Sequence, residues 1–469
     1  AAPAAPRTPR TLLGRLAAAL ANGLRAFELA LIFGPSAILL PFWYLVPVPE
    51  RFRDWWLKVL VACMQHAGPI FVKLGQWAST RADLFSDRFR MQLRVLHDKV
   101  NLEPWDQTRA TLSEAFAKDG GFDRVFSFVE QEPLGAGCIA QVHRAQLRDD
   151  GEWVAVKIQR RRVRQLVERD LALINAIVDF LRSVVPGRLV DLVGLVDSVR
   201  LFSVFMREQM DFAREADNMT RFQRNFANSK LKVSFPSPLH VSPCGMVLVE
   251  TFETGETLSA FLAAGHGSPK LNAEMGSVGV RTFLKMVLID NFCHSDLHPG
   301  NILVRKDEKG NFLGLTVLDV GLVTELSSRD QRNFVDLFAA VATGNGKLAG
   351  QLMIERLDSQ RLARCKDPEG FVEGINAVVS KVRLDSFRLD RVQIGLVLEQ
   401  VLSLVRDYHV PIDPAFTNLV LSIVVLEGLG RQLDPTIDIF REALPLLWRI
   451  NKSWRIAAMH AMTRGRSSE

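Results

Sequence analysis

The chain has 469 residues, enough for about three packing units, and its 48% hydrophobic and 23% charged residues are the balance of a globular protein with a large core. This composition excludes a disordered chain, a disulfide-rich miniprotein and a transporter with many membrane spans. With 58 Lys and Arg against 52 Asp and Glu, the net charge of +6 permits contact with anionic lipid or nucleotide but does not by itself indicate nucleic-acid binding.

The N-terminal part of the chain combines a basic segment with an apolar one. The first 27 residues contain no acidic residue and carry Arg7, Arg10, Arg15 and Arg25. Such a start predicts either an organellar transit region or an ordinary basic amphipathic helix. The uncharged segment Leu29–Pro49 is long enough for one bilayer-crossing helix and predicts membrane contact. The alternative to a span is a broken hairpin, docked on the protein or lying in the interface, because the segment is interrupted by Pro35, Pro41 and Pro47.

Hydrophobic periodicity predicts the remaining elements in chain order. Helices are predicted at 54–97, 164–181, 190–226 and 276–290, and repeatedly after residue 330. Short strands are predicted at 126–130, 140–145, 153–158, 246–252, 302–305 and 315–318. The tripeptide Asp149-Asp150-Gly151 predicts a hairpin turn between the second and third of these strands.

This order of elements predicts an α+β protein with a two-lobed plan and a helical preface. The predicted domains are a basic N-terminal region with the candidate membrane segment (1–50), a helical extension (51–122), a small lobe with inserted helices (123–255) and a large helical lobe with the catalytic loop (256–469).

The strongest motif is HSDLHPGN, from His294 to Asn301, followed by Asp319-Val320-Gly321. Phosphoryl transfer needs a carboxylate that takes or orients the proton of the nucleophile, and oxygen ligands that hold magnesium on the phosphates. In protein kinases the H-x-D-x-x-x-x-N loop supplies the carboxylate and an amide ligand, and a following D-x-G supplies the second metal ligand. The spacing therefore predicts Asp296 as the catalytic carboxylate and Asn301 and Asp319 as magnesium ligands.

A second set of motifs lies upstream. Val154-Ala-Val-Lys157 ends a predicted strand and matches the V-A-I-K motif, whose lysine holds the α- and β-phosphates of ATP. About 20 residues earlier, a loop of small residues takes the places of G-x-G-x-x-G, although such a loop alone is usually only a hairpin. The strand at 246–252 is a candidate hinge whose backbone would meet an adenine. The candidate nucleotide-binding residues are Gly135, Ala136, Gly137, Cys138, Ala140, Val142, Lys157 and Glu250.

Together with Lys73-Leu74-Gly75-Gln76, these motifs resemble the aarF-domain (UbiB) family of atypical kinase-like proteins, especially its mitochondrial members. The KLGQ segment is similar to the K-x-G-Q signature that precedes the kinase fold in that family. Other similar segments are QVHRA at 141–145, READN at 214–218 and LEGLGRQLDP at 426–435. The resemblance extends from about residue 69 to residue 435.

The resemblance implies a protein-kinase-like fold in which the helical extension packs over the active site. Lys73 and Gln76 take the place of the K-x-G-Q residues, whose lysine reaches into the site and blocks a protein substrate. Glu215 matches the glutamate that pairs with the V-A-I-K lysine, here Lys157, whereas sequence distance alone would favour Glu168.

The same resemblance implies ligands, partners and a location. The ligands are ATP or ADP with Mg²⁺, and the implied role is in coenzyme Q or lipid metabolism at the mitochondrial inner membrane. The expected partners are membrane lipid such as cardiolipin, a quinone-like or lipid substrate and enzymes of lipid biosynthesis, with no nucleic acid.

Three departures from the family pattern affect the expected site. The alanine-rich loop of the family is replaced by Gly135-Ala-Gly-Cys138, which is closer to an ordinary kinase loop. The family's E-x-D segment reads Gln209-Met-Asp211, with Glu208 displaced by one residue, so the acidic partner of Lys73 is in doubt. Val320 stands in place of the D-F-G phenylalanine, which argues against a switch based on flipping that side chain.

Three functions therefore remain open. The first is an ATP-dependent kinase or ATPase that acts on a lipid quinone precursor or extracts it. The second is a catalytically weak, nucleotide-responsive scaffold for lipid enzymes at the membrane. The third is a protein serine/threonine kinase, against which the helical extension argues.

Overall fold

The computed structural model describes residues 12–45, 49–81, 85–97, 102–184, 195–265, 267–342, 344–357, 365–385, 394–410 and 414–437, with short pieces at 362 and between 439 and 446. Parts of three sequence predictions lie outside these residues: Arg7 and Arg10 of the basic segment, Pro47 of the apolar segment, and the start of the helix predicted at 190.

The chain divides into two compact units. The first contains the residues up to Ala216 together with Pro238–Phe252, and the second contains Asp217–Ser237 together with the residues from Glu253 onward. Residues 217–237 thus group with the second unit, whereas the sequence placed them in the small lobe.

The first unit begins with helices, as predicted for its N-terminal half. They are α1 (Leu12–Leu45), α2 (Glu50–Ala67), α3 (Pro69–Thr80), α4 (Asp87–Leu93), a 3₁₀ turn (Arg94–His97), α5 (Trp105–Ala115) and α6 (Phe122–Val125). Helix α1 continues through Pro35 and Pro41, so the broken-hairpin alternative is wrong for its residues. Within the described ranges, no helix is both long enough and apolar enough to cross a membrane.

Three further helices lie between residues 163 and 226. They are α7 (Val163–Val184), α8 (Leu195–Gln209) and α9 (Phe212–Phe226), the last of which contains the division between the two units. Helices α1 to α4, α7 and α8 share one hydrophobic core, which includes Ile70, Leu93 and Phe202. This core holds the segment that carries Lys73.

Arg25 fastens α1 to the rest of the first unit. Its guanidinium donates hydrogen bonds to both carboxylate oxygens of Asp170 on α7, at 2.9 and 2.8 Å, and to the Ala67 carbonyl at 2.5 Å. Asp170 is fully buried, and the hydrogen bond to it raises the pKa of Arg25 above its ordinary value. Helix α1 is therefore held in one rotational setting against the protein.

A six-stranded antiparallel sheet forms the rest of the first unit. Its strands are β1 (Phe126–Val129), β2 (Gly135–Ala136), β3 (Ala140–Leu147), β4 (Trp153–Gln159), β6 (Pro238–Val241) and β7 (Val247–Thr251), while β5 (Val233–Ser234) belongs to the second unit. The strand order is β1-β3-β4-β7-β6, with β2 paired to β3. Side chains alternate between the two faces of a strand, so Val154, Val156 and Ile158 bury in the core shared with α5, and Lys157 lies on the other face.

The second unit contains two small sheets and a helical region. A four-stranded sheet has the order β5-β11-β10-β8, and β9 pairs with β12. These strands are β8 (Glu256–Thr257), β9 (Cys293–His294), β10 (Ile302–Lys306), β11 (Phe312–Val317) and β12 (Val323–Thr324). The hairpin of β10 and β11 is the pair of short strands predicted between the catalytic loop and Asp319.

The helices of the second unit confirm the prediction of successive helices after residue 330. They are α10 (Leu258–Ala263), α11 (Pro269–Leu284), α12 (Ser328–Ala342), α13 (Gly346–Glu355), α14 (Pro368–Asp385), α15 (Ile394–Asp407) and α16 (Pro414–Leu433). Helix α11 is extended by a π turn at Lys285–Ile289, so the helix predicted at 276–290 begins earlier and ends in a wider turn. Helices α12 to α15 share a hydrophobic core around Phe371.

Candidate active site

Lys157 on β4 is paired with Glu215 on α9. The Lys157 ammonium donates to the two carboxylate oxygens of Glu215, at 2.7 and 3.0 Å. Their side chains are 13% and 2% exposed, so the pair is almost completely removed from water. Glu168, the alternative by sequence distance, pairs instead with Arg207 at 3.0 Å. The glutamate indicated by the resemblance is thus the partner of the lysine.

The loop of small residues forms a tight turn next to β3. Strand β2 (Gly135–Ala136) pairs with Val142 and Gln141, and the Gly137 amide donates to the Ala140 carbonyl at 2.8 Å. Val142 in turn lies opposite Lys157 across the β3–β4 ladder. No heavy atom lies within 4 Å of the position that a Cβ at Gly135 would occupy. The turn therefore brings backbone donors close to the lysine strand with open space beside Gly135.

Arg160 holds this loop in place, a role that the sequence reading missed. Its Nε donates to the Gly137 carbonyl at 2.8 Å, and its backbone amide donates to the Ile139 carbonyl at 2.8 Å. Burial lowers the pKa of the Arg160 guanidinium from its ordinary value. The arginine directly follows VAVKIQ, and its position after the lysine strand was the only signal that could have drawn attention to it.

Cys138 lies inside the loop, and the charges of two cations act on its thiol. The thiol is buried, which raises its pKa, while the positive charges of Lys73 and Arg160 act in the opposite direction. The structure therefore brings the K-x-G-Q lysine near the glycine loop. Within the described part of the chain, Lys73 forms no ion pair. A cation without a carboxylate partner beside a backbone turn suits an anionic ligand.

Gln76 and Gly75 connect α3 to the 3₁₀ turn that follows α4. Gln76 Nε2 donates to the Leu96 carbonyl at 2.9 Å, and a Cβ at Gly75 would overlap a methyl carbon of Leu96. The glutamine of K-x-G-Q therefore contacts the helical extension itself. These two residues position the helix that carries Lys73.

The altered Gln209-Met-Asp211 segment has local partners. Glu208 pairs with Arg214 at 2.6 Å, and Asp211 accepts a hydrogen bond from the Arg214 backbone amide at 3.2 Å, at the start of α9. Gln159 at the end of β4 donates to the Met210 carbonyl at 2.6 Å. The segment therefore fixes the beginning of the helix that presents Glu215.

Glu250 lies within the sheet. It pairs with Ala155 of β4 and with Pro238 of β6, and it is buried. Because β7 has a neighbouring strand on each side, its backbone already takes part in the ladder. An adenine contact by the Glu250 backbone stays a prediction.

In the second unit, His294 organises the catalytic loop. The ring is fully buried, and its desolvation lowers its pKa. Its Nδ1 accepts a hydrogen bond from the Asp296 amide at 3.1 Å, and its Nε2 donates to the Leu318 carbonyl at 3.4 Å. The histidine thus joins Asp296 to the residue before Asp319, and these partners require a neutral ring that is protonated at Nε2.

Asn301 and Asp319 are brought together by the β10–β11 hairpin. The Leu318 amide donates to the Asn301 carbonyl at 2.8 Å, and Asn301 Nδ2 points back to the Asp296 carbonyl at 3.5 Å. Asp319 is exposed and has a φ of +46°, a left-handed conformation that is uncommon for a residue with a side chain. An exposed carboxylate and an amide oxygen are hard oxygen donors, so this pair fits Mg²⁺.

Val320 lies in the core of the second unit. It is 0% exposed, and its carbonyl accepts a hydrogen bond from Asn218 Nδ2 at 2.9 Å. Asn218 is the last residue of the READN segment, three positions after Glu215, and sequence reasoning gave it no role. A buried side chain with a fixed carbonyl anchors the backbone next to Asp319.

Two matches to family models cover most of the chain. An ABC1 atypical kinase-like domain matches residues 95–353, and a UbiB helical domain matches residues 386–438. The first match alone spans more than half of the chain.

Whole proteins agree with these matches. A mitochondrial ABC1 family protein of Schizosaccharomyces pombe is 31% identical over 94% of this chain and 72% of its own length. A probable serine/threonine-protein kinase, abkC of Dictyostelium discoideum, is 31% identical over 91% of this chain and 68% of its own length. A probable protein kinase UbiB from a Shewanella species is 30% identical over 83% of this chain and 68% of its own length.

A solved structure supports the fold. The Mycobacterium tuberculosis protein Rv3197, in complex with erythromycin, superimposes with a TM-score of 0.50 over 77% of this chain and 88% of that chain, at 18% identity. The motifs agree with the family models and with the similar proteins. The chain belongs to the ABC1/UbiB family of atypical kinase-like proteins.

Proposed function

We propose that this protein is an ATP-dependent enzyme, a kinase or ATPase, that acts on a lipid quinone precursor in mitochondria. The observation that carries the proposal is the Lys157–Glu215 pair, in which a lysine with a 13% exposed side chain is held by a carboxylate that is 2% exposed. The free energy lost by removing such a pair from water is about as large as the free energy gained from its attraction, so the pair contributes little to stability. A buried lysine fixed by a carboxylate supports a role in binding phosphate.

Each residue has a task in this proposal. Lys157 would hold the α- and β-phosphates of ATP, and the amides of the Gly135–Ala140 turn would approach them. Asp319 and Asn301 would bind Mg²⁺, which supplies charge neutralisation on the phosphates. Asp296 would take the proton of the attacking hydroxyl group or orient an attacking water. His294 would keep Asp296 in position through the hydrogen bond to its backbone amide.

The lipid substrate and the location rest on relatives and resemblance. The Schizosaccharomyces pombe relative and one from Saccharomyces cerevisiae are named mitochondrial, which supports a mitochondrial location for this chain. Several bacterial relatives carry the name UbiB, and the family resemblance implies coenzyme Q metabolism. Enzymes of lipid biosynthesis and cardiolipin-containing membranes are the partners that we propose on this basis.

The experiment is a magnesium-dependent ATP turnover assay of the full chain with vesicles that contain cardiolipin. We expect slow turnover in the parent and a loss of about 100-fold or more in Asp319→Asn, because the variant lacks the metal-binding carboxylate. Glu308→Gln is the matched control, since it removes one exposed negative charge from the turn between β10 and β11. Equal turnover in Asp319→Asn and the parent would contradict the enzymatic function.

A second candidate, a nucleotide-responsive scaffold, is favoured by two observations. Glu208 pairs with Arg214 rather than with Lys73, and Val320 is locked in the core instead of lying free to switch. The same assay separates the candidates when nucleotide binding is measured alongside it. A scaffold would bind ATP with magnesium and show no turnover that depends on Asp319. A protein serine/threonine kinase would transfer labelled phosphate to generic peptides.

A further inference from the structure

The backbone around Asp319 is held by hydrogen bonds on both sides of this residue. Before it, the Leu318 carbonyl accepts a hydrogen bond from His294 Nε2 at 3.4 Å. After it, the Val320 carbonyl accepts a hydrogen bond from Asn218 Nδ2 at 2.9 Å. The first bond comes from the catalytic loop, whereas the second comes from α9, from a residue that is 102 positions away along the chain.

Asp319 itself has a backbone conformation that its neighbours must maintain. Its φ is +46°, and a residue with a side chain keeps such a left-handed conformation only where the surrounding structure imposes it. Val320 is buried, so packing fixes the position of its side chain. Packing of an apolar side chain does not by itself fix the rotation of the peptide group that follows. The side-chain amide of Asn218 provides this second restraint.

Asn218 is suited to this task because the part of α9 around it is fixed within the second unit. Asn218 is buried, with 8% of its surface exposed. One turn later on α9, Arg221 pairs with Glu325 at 2.8 Å, and its guanidinium lies 4.0 Å from the centroid of the Phe292 ring. Phe292 lies two residues before His294, and Glu325 follows the DVG motif. The helix that carries Asn218 is therefore attached to the segments that flank the candidate magnesium ligands.

Loss of this hydrogen bond has a consequence for metal binding. A buried carbonyl that loses its donor turns toward another donor or toward water, because a buried polar group without a partner is unfavourable. One of the restraints that oppose relaxation of the left-handed φ of Asp319 is then removed. Mg²⁺ requires nearly ideal octahedral geometry, so a small change in the direction of a carboxylate ligand weakens its binding. The contact of Lys157 with Glu215 in the first unit does not involve Asn218.

We propose that Asn218 is a positioning residue for Asp319: its amide holds the Val320 carbonyl and so keeps Asp319 in the conformation from which the carboxylate binds Mg²⁺. The inference rests on the proposed function, in which Asp319 is a magnesium ligand. It adds to the magnesium site a residue that lies outside the HSDLHPGN and DVG motifs. Asn218 itself touches neither the metal nor the nucleotide, and it acts through the backbone next to Asp319.

The test measures binding of ATP to the full chain by isothermal titration calorimetry, first with EDTA and then at increasing concentrations of MgCl₂. In Asn218→Ala, the magnesium concentration that gives half of the maximal effect should rise about tenfold or more, because loss of a residue that orients a metal ligand weakens metal binding by about 10- to 100-fold. Any binding of ATP with EDTA should equal that of the parent. Asn218→Leu should behave in the same way, and it separates loss of the hydrogen bond from loss of packing because it fills the space.

The matched control is Gln223→Ala. Gln223 also lies on α9, and its side-chain amide donates a hydrogen bond to the Pro236 carbonyl at 3.0 Å. The control therefore removes an amide donor from the same helix without changing the bond to Val320. Its magnesium requirement should equal that of the parent.

Rescue by magnesium distinguishes positioning from a purely structural role. ATP turnover of Asn218→Ala should approach the parent value as MgCl₂ is raised, because mass action compensates for weaker metal binding. Turnover of Asp319→Asn, which lacks the ligand itself, should not recover at the same concentrations. Lower melting temperatures of the Asn218 variants together with the magnesium requirement of the parent would overturn the inference, since the bond would then contribute to stability alone.

Failure of this inference differs from failure of the proposed function. If the parent binds ATP with magnesium and the Asn218 variants keep its magnesium requirement, the proposed function stands and the role of Asn218 is wrong. If the parent itself shows no binding of ATP that depends on magnesium, the proposed function is contradicted and the inference about Asn218 is overturned with it.

Discussion

Two buried polar side chains of the QVHRA segment at 141–145 make hydrogen bonds to the backbone of neighbouring segments. In the first unit, Gln141 of the QVHRA segment is buried and accepts a hydrogen bond from the Glu103 amide at 2.6 Å. His143 is fully buried, donates from Nδ1 to the Glu130 carbonyl at 2.8 Å, and has its ring 5.6 Å from that of Trp105. These residues attach the start of α5 to the strand beside the glycine loop.

His143 makes the stability of the first unit depend on pH. Burial lowers the pKa of its imidazole from the ordinary value, so below that value the unfolded chain binds a proton that the folded chain does not. Stability is therefore present above about pH 6.5 and is lost as the pH falls. We expect the free energy of unfolding in urea to fall between about pH 7 and pH 5, and the fall to be smaller in His143→Gln by about 1 kcal/mol.

The control for this prediction is an exposed histidine. His66→Gln, on α2, should leave the pH dependence of the parent unchanged. Because burial also lowers the pKa of His294, part of the fall should remain in His143→Gln. An identical pH dependence in the parent and His143→Gln would show that the ring binds its proton equally well in the folded and the unfolded chain, and the prediction would be wrong.

At the scale of elements, α3 is positioned by close packing against the 3₁₀ turn at Arg94–His97. Gly75 allows this approach, because a Cβ at that position would overlap Leu96 and would lie 3.1 Å from Met64 Sδ. Gln76 adds the hydrogen bond to the Leu96 carbonyl. The glycine and glutamine of K-x-G-Q therefore place the lysine, which lies two residues before Gly75 and near Cys138.

Gly75→Ala should destabilise the first unit. We expect a loss of about 1–3 kcal/mol in the free energy of unfolding, because the added methyl group forces α3 or the 3₁₀ turn to move. Gly23→Ala is the matched control: Gly23 is inside α1, and nothing lies within 4 Å of its added Cβ. The control should gain up to about 1 kcal/mol from helix propensity. A Gly75→Ala variant as stable as the control would show that Leu96 yields without cost.

At the scale of the whole molecule, the predicted ligand-binding residues are distributed over the two units. Lys157, the glycine loop and Lys73 belong to the first unit, and Asp296, Asn301 and Asp319 belong to the second. Each set is held by contacts within its own unit, such as Lys157–Glu215 in the first and His294–Leu318 in the second. We expect a nucleotide with magnesium to depend on both sets.

This expectation can be checked by thermal unfolding of the full chain. ATP with Mg²⁺ at about 100 times its dissociation constant should stabilise the protein by about 2.7 kcal/mol. Lys157→Met in the first unit and Asn301→Ala in the second should each remove most of the rise in melting temperature. Glu308→Gln, which leaves both sets intact, should keep it. A full rise in Asn301→Ala would show that this residue contributes nothing to metal–nucleotide binding.

Most long elements were predictable from the sequence, because their hydrophobic periods are local. The strands β1, β3, β4, β7, β10 and β11 and the helices after residue 330 appear where the pattern placed them. The two-residue strands β2, β5, β8, β9 and β12 were not predicted, since two residues show no period and form only against a partner strand. For Leu29–Pro49 the sequence left one helix and a broken hairpin open, and the structure shows α1 unbroken through Pro35 and Pro41, with Trp56 of α2 bound to the Ser36 carbonyl.

The sequence by itself determined the family and the chemical residues of the candidate site. HSDLHPGN, DVG and VAVK are short motifs whose spacing is set within one loop or one strand, so they can be recognised without a fold. Spacing along the chain does not show which groups meet in the fold. The pairing of Lys157 with Glu215, 58 positions away, was expected only through the family resemblance, and the hydrogen bond of Asn218 to Val320, 102 positions away, was not expected at all. The attachment of α1 was likewise decided by the tertiary structure, because Arg25 meets Asp170, 145 positions away, and an apolar helix does not indicate which of its faces the protein will cover.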